Sequence, residues 1–424
     1  MLPSKNKLLP LSGEIMKLSK MNVEKLRDDF PILQKTINSK PIVYFDNACM
    51  TLRPKQVIES MNRYYYEYPA CAGRSSHRLG AKATEEYHKS RETVAGFIGA
   101  GPEEVIFTKN TTEGINLVAN SFLFGKDEAV LTTDKEHNSN LLPWLLLKNR
   151  KGLKHLILRS NQDNTFDLEA FSQTVGTNRN IRLVSMVHTS NLDGYTIPAG
   201  EIAKIAHEHE IAVMLDCAQS APHRRINVRD LGADFISFSG HKMLGPTGTG
   251  VLYARKDALE KLQPFMLGGE TVVNSTYETY ELEAPPEMFE AGLQNYAGAI
   301  GLAAAVNYLE GIPLESVEKH ETSLNKAITE GLQEMPGLSV IGPENPELRG
   351  GIVSFFSEKM NHHDIALMLD ELGNIEVRAG MHCVHSWFNA HKIGGSVRAS
   401  LYFYNTQEEC EIFLGALRKI VKLV

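Results

Sequence analysis

Short apolar runs alternate with amphipathic stretches between about residues 105 and 255. The runs are rich in Val, Ile and Leu and show little alternation, which is typical of strands buried on both faces of a mainly parallel sheet. Intervening stretches such as TEGINLVANSFLF and AGEIAKIAHEHE favour helices. The repetition predicts a doubly wound α/β core with right-handed crossovers and seven strands. The predicted strands are 105–109, 129–133, 155–160, 181–188, 212–218, 234–239 and 250–255.

The pattern changes beyond about residue 300, where a long helical stretch at 296–334 precedes the strands LSVIG and GIVSFFS. The helix HHDIALMLDELG, the strands IEVRAG and SVRASLYFYN and a final helix follow. This order predicts a smaller α+β domain. We therefore expect a disordered leader (1–20), an N-terminal segment that packs on the small domain (21–40), a large domain (41–300) and the small domain (301–424).

Composition narrows the class of protein. The 424 residues are 42% hydrophobic and 22% charged, with a net charge of −7, which does not favour nucleic acid or an anionic membrane as a partner. No apolar run approaches the roughly 18 residues that span a bilayer. The first 20 residues lack the continuous apolar region of a secretory signal.

The five cysteines are scattered and include no CxxC pair. Their odd number and spacing argue against a disulfide framework and against a structural zinc site, so no metal is expected. A reducing cytoplasm fits this pattern best. The cysteines are Cys49, Cys71, Cys217, Cys383 and Cys410.

Asp216 and Lys242 close two neighbouring apolar runs, in LDCAQSAPH and DFISFSGHKMLGPTGTG. In an open parallel sheet, ligands bind beyond the carboxyl ends of the strands, so both side chains should face one cleft. A buried lysine with a depressed pKa can form a Schiff base, and a buried aspartate can keep a pyridinium ring protonated. The alternative is a solvated loop lysine, against which the Gly-rich surroundings argue.

A second cue is FTKNTTEGINL, where a strand turns into a helix at Thr111 and Thr112. The N–H groups and positive dipole end of a helix N-terminus suit a phosphate. Simple N-capping by threonine is the alternative. Together with Ser239 and His241 the phosphate interpretation is the better one.

These motifs resemble those of fold-type-I pyridoxal 5'-phosphate (PLP) enzymes in the class V aminotransferase superfamily, and most closely the group II (SufS/NifS-like) cysteine desulfurases. The resemblance runs from about Val43 to the C-terminus. FSGHKMLGPTG is highly specific, whereas DNA or FEAG alone would be weak. The matching motifs are YFDNA (44–48), TTEGINLVANSF (111–122), EHNSNLLPW (136–144), DCAQSAPH (216–223), FSGHKMLGPTG (238–248), FEAG (289–292), VRAGMHC (377–383) and RASLYFYNT (398–406).

The resemblance implies an aspartate-aminotransferase-like large domain and a role for each matched residue. Lys242 would carry PLP as a Schiff base and later move protons. Asp216 would pair with the pyridine nitrogen and His137 would stack on the ring, while Gln219 and Asn191 would lie near the ring hydroxyl and the substrate. The phosphate would be held by Thr111, Thr112, Ser239 and His241.

Arg398 would bind the substrate carboxylate, for which a planar guanidinium is suited. Asn191, Arg378 and Arg74 are the further substrate-binding candidates. The alternatives are a surface ion pair for Arg398 and an N-terminal helix residue without a ligand for His137.

Cys383 determines the reaction, because the resemblance implies that a cysteine in R-x-G-x-x-C attacks the sulfur of a PLP-bound cysteine. As a nucleophile it must be a thiolate, so nearby cations should lower its pKa, and Arg378, His382 and His385 are close in sequence. The alternative is an inert buried thiol.

The chain departs from the family pattern at several positions. Leu293 and Gln294 replace a Thr-Pro pair whose threonine reaches a phosphate across a dimer interface, so one phosphate contact should be absent or replaced. Asn138 stands for a histidine and Cys217 for a glycine. Gly73 stands where a histidine precedes Arg74. VHSWFN after Cys383 is unlike the commoner small residues, so acceptor docking should differ.

The sequence therefore predicts a homodimeric, PLP-dependent cysteine desulfurase. It would convert L-cysteine to L-alanine and pass a persulfide from Cys383 to a sulfur-acceptor protein or an iron–sulfur scaffold. The alternatives are a selenocysteine lyase, another class V enzyme such as a C–S lyase, epimerase or kynureninase-like hydrolase, and a catalytically silent partner protein.

Overall fold

The computed structural model describes residues 21–423; the predicted leader, 1–20, lies outside them. The α-helices are α1 (Val23–Arg27), α2 (Lys55–Glu67), α3 (Arg78–Ile98), α4 (Thr111–Ser121), α5 (Asn138–Lys151), α6 (Leu168–Thr177), α7 (Ala199–Glu208), α8 (Val228–Leu231), α9 (Lys256–Leu259), α10 (Tyr296–Glu310), α11 (Leu314–Gln333), α12 (His362–Gly373), α13 (His385–His391) and α14 (Gln407–Val421).

The strands are β1 (Thr36–Ile37), β2 (Lys40–Pro41), β3 (Val43–Tyr44), β4 (Val105–Thr108), β5 (Ala129–Thr133), β6 (Lys154–Leu158), β7 (Ile181–Val187), β8 (Ala212–Asp216), β9 (Phe235–Ser239), β10 (Gly250–Ala254), β11 (Val272–Ser275), β12 (Tyr280–Leu282), β13 (Leu338–Ile341), β14 (Ile352–Ser357), β15 (Ile375–Glu376), β16 (Arg378–Gly380) and β17 (Ser396–Ser400). Short 3-10 helices span Pro31–Gln34, Pro102–Glu104, Gly240–Lys242, Glu287–Phe289 and Pro346–Leu348.

Seven strands form the central sheet in the order β4-β10-β9-β8-β7-β5-β6. The pairs β6·β5, β5·β7, β7·β8 and β8·β9 are parallel, while β10 runs antiparallel to both β9 and β4. The predicted α/β fold with a mainly parallel seven-stranded sheet is confirmed.

Apolar side chains are buried on both faces of this sheet. Leu183 and Val184 are consecutive in β7 and point to opposite faces, and both are fully buried. Val184 packs in one core cluster with Leu215, and Leu183 packs in another with Met214. This double burial explains why the central strands read as continuous apolar runs rather than as alternating ones.

A second, four-stranded antiparallel sheet has the order β13-β14-β17-β16. Its core joins Phe355 and Val397 to Phe413 of α14, and it also includes Val43 and Phe45 from the start of the chain. The strand β3 pairs in parallel with β15. The domain boundaries at 40/41 and 300/301 stay predictions.

The N-terminal segment contacts the C-terminal part of the chain. The guanidinium of Arg27 lies 2.9 Å from a carboxylate oxygen of Glu409, and the ring of Phe30 lies 4.7 Å from that of Tyr404. Phe30 and Leu33 also belong to the core cluster of the central sheet, and the packing of residues 21–40 on the small domain stays a prediction.

The predicted helical stretch at 296–334 is helical over most of its length but is interrupted once. It is two helices, α10 and α11, bent by 80°. The break falls at Gly311–Pro313, because proline has no N–H to donate and disfavours helical geometry in the residue before it. The predicted strand IEVRAG is likewise divided into β15 and β16, and the last strand ends at Ser400.

Within residues 21–423, no single helix has the length and apolar character needed to cross a membrane, and only the bent pair α10 and α11 meets that test when taken together.

Candidate active site

A cavity of about 460 Å³ lies at the carboxyl ends of β8 and β9, where the central sheet meets the four-stranded sheet. Every predicted site residue except Arg74 lines it. These residues are Thr111, Thr112, His137, Asn191, Asp216, Gln219, Ser239, His241, Lys242, Arg378, Cys383 and Arg398.

Asp216 and Lys242 come from adjacent parallel strands. Asp216 is the last residue of β8, and Lys242 ends the 3-10 turn that follows β9. Burial lowers the pKa of Lys242 below its usual range; Asp216 opposes this effect only in part, and Arg398 adds to it. Burial also raises the pKa of Asp216, against the opposing effects of Lys242 and of a 2.9 Å hydrogen bond from the N–H of Ala218. The lysine amine is therefore biased towards its neutral, nucleophilic form.

Hydroxyl groups line the N-terminus of α4. The N–H of Thr111 donates to Ser239 Oγ at 2.8 Å, and Thr112 Oγ1 lies 2.6 Å from Ser139 Oγ. The helix is capped by Asn110, whose side chain accepts from the N–H of Glu113 at 3.0 Å. Because an asparagine caps the helix, the threonine hydroxyls are not needed for capping; they contact the hydroxyls of Ser239 and Ser139 and line the cavity with them, an arrangement that suits an anion.

The close approach of α4 to the sheet depends on a glycine. A Cβ atom on Gly114 would lie 2.3 Å from Ser237 Oγ of β9. Since β9 leads to Ser239 and Lys242, a side chain at this position would push the helix N-terminus away from the lysine.

Two of the histidines that line the cavity, His137 and His241, are held in the neutral form. Burial lowers the pKa of His137 to about 3, with the charges of Lys242 and Arg398 adding to the effect. Burial and Lys242 likewise lower the pKa of His241 to about 4. His137 is the N-cap of α5, where its Nδ1 accepts from the N–H of Ser139 at 3.1 Å. His137 therefore lies at the N-terminus of a helix, as in the alternative interpretation, and its flat, uncharged ring also lines the cavity.

Four buried side chains that line the cavity each have one polar atom without a hydrogen-bond partner among residues 21–423: Gln219 Oε1, Asn191 Oδ1, Arg398 Nε and His382 Nδ1. Their other polar atoms are held in place. Gln219 Nε2 donates to Ala48 O at 2.6 Å, Asn191 Nδ2 to His382 O at 2.7 Å and Arg398 Nη1 to Asn191 O at 2.9 Å. Anchored groups with one unmatched buried atom suit a polar ligand that completes them.

Arg398 and Arg378 share one carboxylate. Arg398 Nη2 lies 3.7 Å from Asp46 Oδ1, and Arg378 Nε lies 3.5 Å from Asp46 Oδ2. Burial opposes the charge on Arg378, but the charges of Asp46 and Cys49 outweigh it and raise the pKa of that guanidinium. Arg398 is buried and is therefore not part of a surface ion pair.

Cys383 is exposed, so it is not the buried thiol of the alternative interpretation. Its φ of 59° and the φ of 49° at His382 place both residues in the left-handed region, which turns the chain sharply after β16. The N–H of Asn138 donates to Cys383 O at 2.7 Å and fixes this turn against α5.

The prediction that His382 could act as a cation beside Cys383 was wrong. Its ring is buried, and burial together with the charges of Arg398 and Arg378 lowers the pKa of His382 to about 2. The ring is neutral at physiological pH, whereas the pKa of Arg378, like those of Lys242 and Arg398, is raised by charge on Cys383.

The prediction that Arg74 binds substrate does not hold within one chain. Arg74 lies outside the cavity and is exposed, and its Nε lies 3.0 Å from a carboxylate oxygen of Glu270. Gln294, from the altered pair after FEAG, donates back to Glu290 O at 2.8 Å and to Gly292 O at 3.0 Å. It does not line the cavity either.

Sequence reasoning missed Cys49, Asn110 and Ser139, all of which line the cavity. Cys49 and Asn110 are adjacent to the motifs YFDNA and TTEGINLVANSF, and Ser139 lies within EHNSNLLPW, so their positions in or beside these motifs are the signal that could have revealed them. Cys217 is buried behind Asp216, and burial raises the pKa of its thiol to about 12, which supports the expectation that it does not react.

The chain belongs to the aminotransferase class-V family, whose model matches residues 43–413. Among curated proteins, it is 42% identical over 402 residues to a probable cysteine desulfurase of Pyrococcus abyssi, covering 94% of this chain and 98% of that protein. It is 37% identical over 416 residues to a cysteine desulfurase of Haloferax volcanii, covering 94% and 96%.

Two solved structures show the same fold. One is the apo cysteine desulfurase of Thermococcus onnurineus NA1, with a TM-score of 0.90, 40% identity and coverage of 95% of this chain and 98% of that one. The other is the cysteine desulfurase CsdA of Escherichia coli, with a TM-score of 0.87, 29% identity and coverage of 95% and 99%.

Proposed function

We propose that this chain is a PLP-dependent cysteine desulfurase of the group II (SufS/NifS-like) branch, which converts L-cysteine to L-alanine and receives the sulfur on Cys383 as a persulfide. The observation that carries the proposal is that Lys242, Asp216 and Cys383 line one cavity. A silent partner protein would have no need for a buried lysine–aspartate pair beside an exposed thiol.

The residues of the cavity fit PLP. The hydroxyls and helix N-terminus at Thr111 and Thr112, together with Ser239 and His241, suit the phosphate. Asp216 suits the pyridine nitrogen, and the neutral ring of His137 suits a stacked aromatic ring. The unmatched Oε1 of Gln219 and Oδ1 of Asn191 are acceptors for the ring hydroxyl or the substrate amine.

When bound, PLP supplies an electron sink for the bond changes at the substrate Cα. Arg398 holds the substrate carboxylate. Lys242, with its amine biased towards the neutral form, removes the Cα proton and returns a proton to the product. Cys383 Sγ attacks the substrate sulfur; the C–S bond breaks, the S–S bond of the persulfide forms, and the former Cβ gains a proton to complete alanine.

We further propose that the enzyme is a cytoplasmic homodimer that delivers sulfur to a partner protein. Delivery to a sulfur-acceptor protein or an iron–sulfur scaffold is supported by the exposure of Cys383 at the cavity mouth. All five cysteines are free, which supports a reducing, cytoplasmic setting. A homodimer is supported by apolar side chains exposed around β11 and β12, namely Phe265, Met266, Leu267, Val273, Tyr280 and Leu293. A role for Arg74 at the substrate would require that second copy.

The test is to incubate the full-length holoenzyme with L-cysteine, quantify alanine and locate sulfane sulfur by mass spectrometry. We expect one alanine for each sulfur atom transferred, and we expect the sulfane sulfur on Cys383. Cys383→Ala should retain the cofactor's absorbance and lose sulfur transfer, while Cys410→Ser, which changes a buried cysteine of α14, serves as the matched control. Unchanged turnover in Cys383→Ala would refute the proposal. Turnover of L-selenocysteine relative to L-cysteine, with and without Cys383, distinguishes a selenocysteine lyase from a cysteine desulfurase.

A further inference from the structure

A second thiol lines the cavity. Cys49 follows the YFDNA motif directly, is half-buried, and receives a hydrogen bond from Arg378 Nη2 at its Sγ. Of the other cysteines, Cys217 and Cys410 are buried and Cys71 lies outside this cavity. Cys49 and Cys383 are therefore the two thiols that face the cavity.

The two thiols act on the same cations. Negative charge on either Cys49 or Cys383 raises the pKa of Lys242, of Arg378 and of Arg398. Both cysteines line the same cavity of about 460 Å³ as these three positive groups. The cavity also contains the unmatched, buried Nε of Arg398, a donor ready for a further anion.

We propose that Cys49 is a second sulfur acceptor, which takes the terminal sulfur from the Cys383 persulfide inside the cavity. This inference rests on the proposed function. The Cys49 thiolate attacks the outer sulfur of the persulfide. The S–S bond to Cys383 breaks, Cys383 leaves as a thiolate, and a new S–S bond forms on Cys49. The number of sulfane sulfurs is conserved, so no oxidant or reductant is required.

The surroundings of the two thiols differ in a way that suits sulfur transfer first to Cys383 and then to Cys49. Cys383 is exposed on a turn, where both substrate sulfur and an acceptor protein can reach it. Cys49 is half-buried against the guanidinium of Arg378, which stabilises a thiolate or a persulfide anion. Transfer to Cys49 frees Cys383 for a second turnover, and each chain then holds two sulfurs.

The experiment incubates the full-length holoenzyme with excess L-cysteine in the absence of an acceptor protein, followed by rapid alkylation and peptide mass spectrometry. We expect sulfane sulfur on both Cys49 and Cys383 in the wild type. Cys49→Ser should load Cys383 and hold about half as much sulfur per chain. Cys71→Ser, which removes an equally half-buried thiol outside the cavity, should hold the wild-type amount.

The Cys383→Ala variant distinguishes a relay, in which sulfur reaches Cys49 through Cys383, from direct capture of the substrate sulfur by Cys49. We expect neither position to carry sulfur in this variant. Sulfur on Cys49 without Cys383 would overturn the relay, as would a Cys49–Cys383 disulfide with released sulfide, because that product requires attack on the inner sulfur. Wild-type protein with sulfur on Cys383 alone would overturn this inference and leave the proposed function standing. Absence of alanine and of sulfur everywhere would instead refute the proposed function.

Discussion

The N–H of Asn138 donates a 2.7 Å hydrogen bond to the carbonyl oxygen of Cys383. This bond joins the first turn of α5 to the turn that presents the exposed thiol. The side chain of Asn138 makes a second contact, 3.0 Å from His385 Nδ1, just beyond Cys383. Asn138 is one of the departures from the family pattern, and its position links that departure to the placement of the thiol.

Asn138→Pro should slow sulfur transfer roughly fivefold to tenfold, since a backbone hydrogen bond contributes about 1 kcal/mol. Proline suits this site, which is the first residue of α5, and His137 before it has a φ of −58° and a ψ of 146° that proline tolerates. The measurement is single-turnover formation of the Cys383 persulfide. Asn138→Ala keeps the N–H and should change the rate less; an equal loss in both variants would contradict the assigned bond.

Asp216→Asn should reduce alanine formation by roughly two to three orders of magnitude. A charge pair between Asp216 and the pyridine nitrogen, at about 4 Å and an effective dielectric of about 20, is worth about 4 kcal/mol. Asparagine removes the negative charge and keeps the shape of the side chain. Steady-state alanine production at saturating PLP measures the effect. Asp234→Asn, which changes a buried carboxylate outside the cavity, is the control. Activity within a few fold of wild type in Asp216→Asn would exclude the charge as the cause.

His188 should make the protein sensitive to acid. Its ring is buried beside Ser220, and burial lowers the pKa of His188 to about 3, below the ordinary value of 6.5. Between these values the unfolded chain binds the extra proton, so stability falls as pH decreases from about 6.5 towards 3, by about 1.4 kcal/mol per pH unit.

The contribution of His188 is measured as a difference between proteins, because Glu136, whose pKa burial raises to about 7, titrates in the same range with the opposite sign. Urea unfolding of wild type and His188→Gln at pH 7 and pH 5 should show the wild type losing more stability. The exposed His88→Gln should track the wild type. Parallel curves for His188→Gln and wild type would show that the ring is not held neutral.

Glu290→Ala should destabilise the fold by about 3–5 kcal/mol, because it leaves a buried charge on Arg91 without its partner. Glu290 binds both terminal nitrogens of Arg91 at 2.7 and 2.8 Å and also accepts from the hydroxyl of Tyr87 at 2.9 Å. Urea unfolding measures the loss. Arg182→Ala, at the exposed pair with Glu128, should cost less than about 1 kcal/mol. Similar losses in the two variants would contradict this difference.

Much of the fold could be predicted because central strands buried on both faces leave long apolar runs in the sequence. Asp216 and Lys242 could be placed together for a related reason: adjacent parallel strands end at the same edge of the sheet. Site residues that lie at the end of a strand or at the start of a helix could thus be predicted from the sequence pattern.

Contacts between segments that are far apart in the sequence could not be predicted in this way. The Arg378–Cys49 contact joins positions 329 residues apart, and no local pattern specifies it. The neutral state of His382 also depends on burial by elements far away in the sequence. The break between α10 and α11 could have been read from Gly311 and Pro313, but the apolar pattern of the two helices continues across it.

Arg398 already bridges the two sheets, since it donates to the backbone of Asn191 after β7 while extending from β17 beside Asp46. A guanidinium held in this way has little rotational freedom left to lose when a carboxylate arrives. Recognition of the amino acid is consequently preorganised, and small acids that match the carboxylate alone should compete with substrate even though they lack sulfur.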